Sequence, residues 1–190
     1  MQRWKKLGKI YNGSTFSSVP ILLDTDHDGI FKIIFSDRND KNQSVPYLLV
    51  YNFNTNEVID IIRIKVKLGG IGEFDESGIM PTSFYNIDGK IYLYYIGWNK
   101  GEFPPFRNSI GLLVSEDNGD SYYKYSKGPI MDRSIYDNCF VASNCIIHNG
   151  DKFIMYYLSC DKWVYLDGKI IHKYNIKIAN SIDGINWIRE

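Results

Sequence analysis

The chain has 190 residues and a mass of 22.1 kDa, which is long enough for one domain with a hydrophobic core. Its 22 basic and 22 acidic side chains cancel, so the charge favours neither a nucleic-acid partner nor an anionic membrane surface. No apolar run approaches the roughly 18 residues that span a bilayer, and no signal-peptide pattern follows the basic start. We therefore expect no membrane partner.

Three cysteines, Cys139, Cys145 and Cys160, make an odd number without the spacing of a metal site. We interpret them as reduced, mostly buried thiols and expect a cytoplasmic protein. No set of metal ligands is legible elsewhere in the sequence, and no cofactor is predicted.

An internal repeat of about 60 residues runs along the chain. Each repeat has a turn dipeptide followed by a run of aromatic and β-branched residues. The turns are Asp28-Gly29, Asp88-Gly89 and Asn149-Gly150. The repeats cover about residues 12–68, 69–130 and 131–190. A repeat of this length that is made of strands and has no helix predicts an all-β fold, a β-propeller.

Each repeat divides into four predicted strands, called A to D outward from the propeller axis. In chain order they cover residues 19–23, 31–35, 47–51 and 57–61, then 79–85, 91–96, 109–115 and 121–125, then 141–147, 153–158, 174–180 and 186–189. We expect one domain, or a fragment of one, because no linker separates the repeats.

The links between these strands are of two kinds. The A-to-B and C-to-D links are short and rich in Gly, Asn and Asp, which is typical of tight hairpins. The B-to-C and D-to-A links are longer and collect carboxylates, arginines and tryptophans. Because strand A begins where strand B ends, both kinds of longer link are expected on one face, here called the loop face. Function is expected there.

Three segments of the second repeat carry a resemblance to a known group of proteins. They are residues 72–81 (GEFDESGIMP), 92–98 (YLYYIGW) and 109–119 (SIGLLVSEDNG), and the last pattern recurs at 176–187. They resemble the five-bladed β-propeller glycosidases around glycoside hydrolase families 32, 43 and 130. The resemblance implies three visible four-stranded blades of a five-bladed fold.

In that group a sugar is held over the axis between acidic residues of the first three blades. The resemblance therefore implies an oligosaccharide or glycoside partner and cleavage of a glycosidic bond by hydrolysis or phosphorolysis. The sequence departs from the pattern. Residues 17–20 of the first repeat hold no aspartate, and residues 139–143 of the third hold no glutamate. Cleavage by loop-face carboxylates is the leading interpretation, and these departures favour its alternative, a non-catalytic or degenerate glycan-binding propeller.

The candidate catalytic residues are Asp75, Asp37 and Asp137, which all lie on the predicted loop face. The candidate substrate-binding residues are Arg38, Glu76, Trp98, Arg107, Arg133 and Trp163. Two alternatives stay open: the arginines bind a ligand or form local ion pairs in water, and the tryptophans stack on a sugar or pack between blades.

The number of repeats also predicts an exposed surface. Five blades of this size need roughly 300 residues, and three are visible. An open stack of three blades leaves an apolar flank uncovered, so self-association through the open blade edge is expected.

Overall fold

The computed structural model describes residues 4, 6, 8–13, 16–25 and 28–189, without the side chains of Asp24 and Thr25. Asp26 and His27 of the first predicted turn lie outside the described residues. The described chain is all β and contains no helix. Its strands are β1 (Ser18–Thr25), β2 (Ile30–Arg38), β3 (Ser44–Asn52), β4 (Glu57–Arg63), β5 (Gly78–Ile87), β6 (Lys90–Lys100), β7 (Phe106–Ser115), β8 (Tyr123–Lys124), β9 (Phe140–His148), β10 (Phe153–Leu166), β11 (Lys169–Ser181) and β12 (Ile188–Arg189).

Each repeat is an antiparallel meander of four strands. β1 to β4 pair in chain order, as do β5 to β8 and β9 to β12. One ladder pair connects the sheets of the first two meanders, where Ser44 of β3 pairs in parallel with Gly78 of β5. Every predicted strand overlaps an observed one, so the turn dipeptides and β-branched runs located all twelve strands.

The loop face exists as predicted. The first residue of each A strand pairs with a residue in the later part of the B strand: Ser18 with Ser36, Gly78 with Trp98, and Phe140 with Cys160, beyond which β10 continues to Leu166. The D-to-A and B-to-C links therefore leave the sheets at the same end.

Two of the predicted loops on this face are instead extended hairpins. The sequence predicts a loop over residues 159–173. The ladder between β10 and β11 instead continues through this stretch to the pair Leu166 and Lys169. The turn has positive φ at both Asp167 (49°) and Gly168 (74°), which matches the twist of a two-residue hairpin. β6 and β7 likewise pair to Lys100 and Phe106, which shortens the predicted 97–108 loop.

The core lies between neighbouring repeats. One cluster joins the first and second repeats through Ile34, Ile79 and Leu113, and a second joins the second and third through Ile110, Val141 and Met155. The inner strands also meet directly, because the Ile146 amide of β9 donates to Ser83 Oγ of β5 at 3.0 Å. The repeats are thus packed side by side with their loop ends aligned.

Candidate functional site

Arg38 lies at the loop end of β2, between the first and second repeats. Its guanidinium carbon is 4.4 Å from the centroid of the Trp98 ring and 5.5 Å from that of Phe16. Its Nη1 donates to the carbonyl of Asn42 at 2.9 Å. Burial lowers the pKa of Arg38 below its usual value. The loop face thus holds a half-buried cation stacked on an indole, an arrangement that favours the charged group by a cation–π interaction.

Trp98 is itself a packing residue. Only 7% of it is exposed, and its Nε1 donates to Ser44 Oγ across the two repeats at 3.1 Å. Gly78 lies against this pair, since a Cβ there would come within 2.6 Å of Trp98 Nε1. Arg38 covers one face of the indole. On that side the group available to a ligand is therefore the Arg38 guanidinium, not the Trp98 ring.

Asp75 is completely buried just before β5. Its Oδ2 accepts from the Tyr95 hydroxyl at 2.9 Å and pairs with Lys124 Nζ at 2.6 Å. Burial and the charge of Asp75 raise the pKa of Tyr95 above its usual value. Oδ1 has no hydrogen-bond partner among the described residues, and a Cβ at Gly69 would lie 2.4 Å from it. The carboxylate is therefore sealed beneath the glycine-rich link that precedes β5.

Asp137 occupies the equivalent place before β9 and is also completely buried. Arg189 Nη1 donates to Oδ2 at 2.9 Å, and Lys177 Nζ lies 3.4 Å from Oδ1. The Tyr157 hydroxyl is 3.3 Å from both oxygens, and burial together with the charge of Asp137 raises the pKa of Tyr157 to about 12. Two repeats thus share one arrangement, a buried aspartate held by a strand-B tyrosine and by cations of the outer strands.

Asp37 is the third candidate carboxylate and lies at the loop end of β2. It is 4% exposed and accepts from the Tyr11 hydroxyl at 2.9 Å and from the Arg38 amide at 2.7 Å. Burial, followed by the hydrogen bond to Asp37, raises the pKa of Tyr11 to about 12. The Arg38 guanidinium forms no ion pair within the described part of the chain.

Glu76 and its neighbour Glu73 bind their own loop. Glu76 Oε2 accepts from the Gly72 amide at 2.5 Å, and Glu73 Oε2 accepts from the Gly70 amide at 2.9 Å. These bonds fix the glycine-rich link over Asp75.

The two remaining arginines and the last tryptophan are placed differently. Arg107 and Arg133 are exposed. Trp163 is half-buried on β10, with its ring centroid 5.1 Å from that of Phe106 and 5.4 Å from that of His172. Its contacts are those of a residue that packs the long hairpin against the second repeat.

The structure brings together Arg38, Trp98 and, through the backbone, Asp37. Within the described residues each of the three aspartates contacts its own partners, and none of the hydrogen bonds and ion pairs described above links any two of them. No group of three or more metal-ligating side chains converges in the described part of the chain. The described residues also contain no helix that would cross a membrane.

Sequence reasoning missed the partners of the aspartates: Tyr95, Lys124, Tyr157 and Arg189. One signal was available, because each tyrosine follows its aspartate by 20 positions in two successive repeats. The cations carry no such signal; Arg189 lies 52 positions from Asp137.

Comparison with known proteins gives distant relatives. No family model matches the chain. Two curated proteins of Mycobacterium tuberculosis, from strains CDC 1551 / Oshkosh and ATCC 25618 / H37Rv, are both described as uncharacterized and are 28% identical over 98% of the chain. The chain spans 64% of the length of these relatives.

Solved structures give a clearer answer on the fold. One described as a glycoside hydrolase is 13% identical, with a TM-score of 0.66 over 94% of this chain and 58% of that one. The sucrose-6-phosphate hydrolase of Lactobacillus gasseri is 11% identical, with a TM-score of 0.65 over 91% of this chain and 33% of its own. A thermostable family-43 glycoside hydrolase is 15% identical, with a TM-score of 0.62 over 88% and 61%. A family-32 beta-fructofuranosidase of Bombyx mori is 16% identical, with a TM-score of 0.58 over 91% of this chain and 34% of its own. At the level of the fold, the resemblance that the sequence motifs indicated is confirmed: this chain is similar to glycoside hydrolases of families 43 and 32.

Proposed function

We propose that the chain is a carbohydrate-active protein that binds a glycan on its loop face, and that its three meanders are blades of a five-bladed β-propeller. The observation that carries the proposal is the fold, which is shared with glycoside hydrolases over about nine-tenths of the chain. The loop-face geometry adds a cation, Arg38, at the boundary of the first two repeats.

Arg38 is the residue to which we assign glycan contact. A guanidinium presents several N–H donors in a planar fork that matches a carboxylate or a pair of sugar hydroxyls. Trp98 stacks on one side of the group at 4.4 Å, and the hydrogen bond to Asn42 uses only part of its donor capacity. Stacking restricts its rotamers before binding, so less entropy is lost when a ligand arrives.

Binding is favoured over cleavage by the state of the carboxylates. Glycosidic cleavage needs two carboxyl groups flanking the bond, roughly 5–10 Å apart and in contact with substrate. Asp75 and Asp137 are completely buried, and each is neutralised by cations within its own repeat. Side chains so placed stabilise the repeats and hold the loop face in shape.

Cleavage by hydrolysis or phosphorolysis is the second candidate, and one observation favours it. Asp75 Oδ1 is buried without a hydrogen-bond partner among the described residues, which is an expensive arrangement that usually has a structural or catalytic reason. Rearrangement of the glycine-rich link would expose this oxygen to a bound sugar.

A panel of oligosaccharides and aryl glycosides tests both candidates. Calorimetry should give binding that Arg38→Ala weakens about ten-fold or more and that Arg38→Lys restores only in part, because a lysine lacks the planar fork. Arg63→Ala, at an exposed position of β4, is the matched control and should leave binding unchanged. Absence of binding to every saccharide, or equal loss in both alanine variants, would contradict glycan binding at Arg38.

Product release from the same panel, with and without phosphate, tests cleavage. Turnover that disappears in Asp75→Asn but persists in Tyr95→Phe would assign catalysis to the carboxylate, since both variants disturb the same buried pair. Binding without turnover would leave the glycan-binding function alone.

A further inference from the structure

A large cleft that Arg38 does not line lies where the link between the first and second repeats passes the outermost strand of the second. It has a volume of about 710 Å³. One wall is the extended segment 65–70, and the other is the segment 122–127 around β8. Ile64, Val66 and Leu68 of the link pack into the core between the repeats, which fixes this wall.

The cleft concentrates positive charge in a chain of zero net charge. Four lysines line it: Lys65, Lys67, Lys124 and Lys127. Lys124 is neutralised by Asp75, but the other three are exposed and form no ion pair within the described residues. The only lining acid, Glu73, accepts a hydrogen bond from the Gly70 amide. The cleft is therefore lined by three lysines without an ion pair and by one carboxylate, and that carboxylate is already hydrogen-bonded within its own loop.

The remaining lining suits a saccharide. Tyr123 and Tyr125 line the wall and are 48% and 47% exposed, and the Tyr123 hydroxyl donates to Glu116, which does not line the cleft. The Tyr125 amide donates to the Leu112 carbonyl at 2.9 Å, which holds this wall to the sheet. Gly69 and Gly70 bring bare backbone to the opposite side. Aromatic rings accept the apolar C–H face of a sugar, while ammonium groups bind its anionic substituents.

We infer that this cleft is a second binding site and that it takes an anionic saccharide, one bearing carboxylate, sulfate or phosphate groups. The inference rests on the proposed function for the class of ligand, a carbohydrate, and adds the charge of that ligand and the place where it binds. The Arg38 site and the cleft use different residues, so each can be tested without the other.

A single-stranded nucleic acid is the main competing ligand for a cleft with lysines and tyrosines, because bases stack on aromatic rings and phosphates bind lysines. The zero net charge of the chain argues against it, since nucleic-acid sites usually sit in a strongly basic protein surface.

The experiment measures binding of hexagalacturonate and of a heparin hexasaccharide, with fully methyl-esterified hexagalacturonate as the uncharged match and a twelve-nucleotide oligouridine as competitor. The test protein carries Lys65→Gln, Lys67→Gln and Lys127→Gln. The control carries the same charge change at three exposed lysines elsewhere, as Lys32→Gln, Lys169→Gln and Lys173→Gln.

We expect at least one anionic saccharide to bind the native protein more tightly than the methyl-esterified hexagalacturonate does. The test variant should lose about ten-fold or more in affinity, since each exposed ion pair contributes a modest amount, while the control retains it. Raising the salt concentration should lower the affinity of the native protein for the anionic saccharide and should change that of the test variant very little.

Equal losses in the two triple variants, no binding of either anionic probe, or tighter binding of the oligouridine would each overturn the inference. If the panel of oligosaccharides and aryl glycosides used to test the proposed function still binds in an Arg38-dependent way in that event, the proposed function stands. If that panel does not bind either, the proposed function and this inference are both wrong.

Discussion

At the scale of single residues, charge is buried in pairs that lie far apart in the sequence. Asp75 and Asp137 carry the signs of a functional acid in the sequence, because each precedes an A strand on the loop face. Their complete burial is not legible there, since it depends on cations of the outer strands. What the sequence does contain is the repeated spacing of aspartate and tyrosine, which only the known pairing of the strands turns into a contact.

Replacing Asp137 by asparagine tests this role. The change leaves Arg189, which is 14% exposed, without its carboxylate, and removal of one partner from a buried pair is strongly destabilising. We expect the free energy of unfolding to fall by about 3 kcal/mol or more, measured by urea denaturation. Asp161→Asn, whose 40%-exposed side chain pairs with Lys177 at 3.8 Å, should lose less than about 1 kcal/mol. Similar small losses in both would show that the buried pair contributes little.

At the scale of elements, strand position was predictable and strand length was not. The turns rich in Gly, Asn and Asp place the hairpins on the face opposite the loop face, where only Gly, Asn and Asp have positive φ among the described residues. The long hairpin of β10 and β11 was missed, although Asp167 and Gly168 lie between the strand-forming pairs 164–165 and 170–171. The predicted link between strands 153–158 and 174–180 contains the charged residues Asp161 and Lys162, and the ladder continues past them through one irregularity after Cys160.

The aromatic cluster around Trp163 should hold this hairpin in place. In Trp163→Ala we expect the amides of residues 161–173 to exchange with deuterium about ten-fold faster or more, since three ring contacts of about 0.5 kcal/mol each are lost. The amides of residues 153–158, in the core part of β10, should be unchanged. Tyr165→Ala is the control, because that ring is 68% exposed at the hairpin tip. Acceleration over the whole of β10 would mean that the hairpin and the repeat unfold together.

At the scale of the whole molecule, one side of the third repeat is apolar and uncovered. Tyr156 lies opposite Cys145 and Ile178 in the pairing, so these residues share a face of the sheet. Tyr156 and Ile178 are each 41% exposed and Ile176 is 76% exposed. The opposite face of the same repeat packs against the second repeat. An exposed apolar sheet face of this kind favours association, and the self-association expected from the repeat count stays a prediction.

We propose that a second copy of the chain covers this face, because a chain of zero net charge has little repulsion to keep such surfaces apart. Sedimentation velocity should show association that rises with concentration and is weakened in Ile178→Glu, whereas Ile182→Glu, in an exposed turn, should behave as the native chain does. The exposed thiol of Cys145 reports on the same face: its alkylation should slow as concentration rises. Cys160, whose pKa burial raises to about 12, should stay unreactive throughout. A monomer at every concentration, with constant Cys145 labelling, would exclude the contact and leave the face open for a different partner.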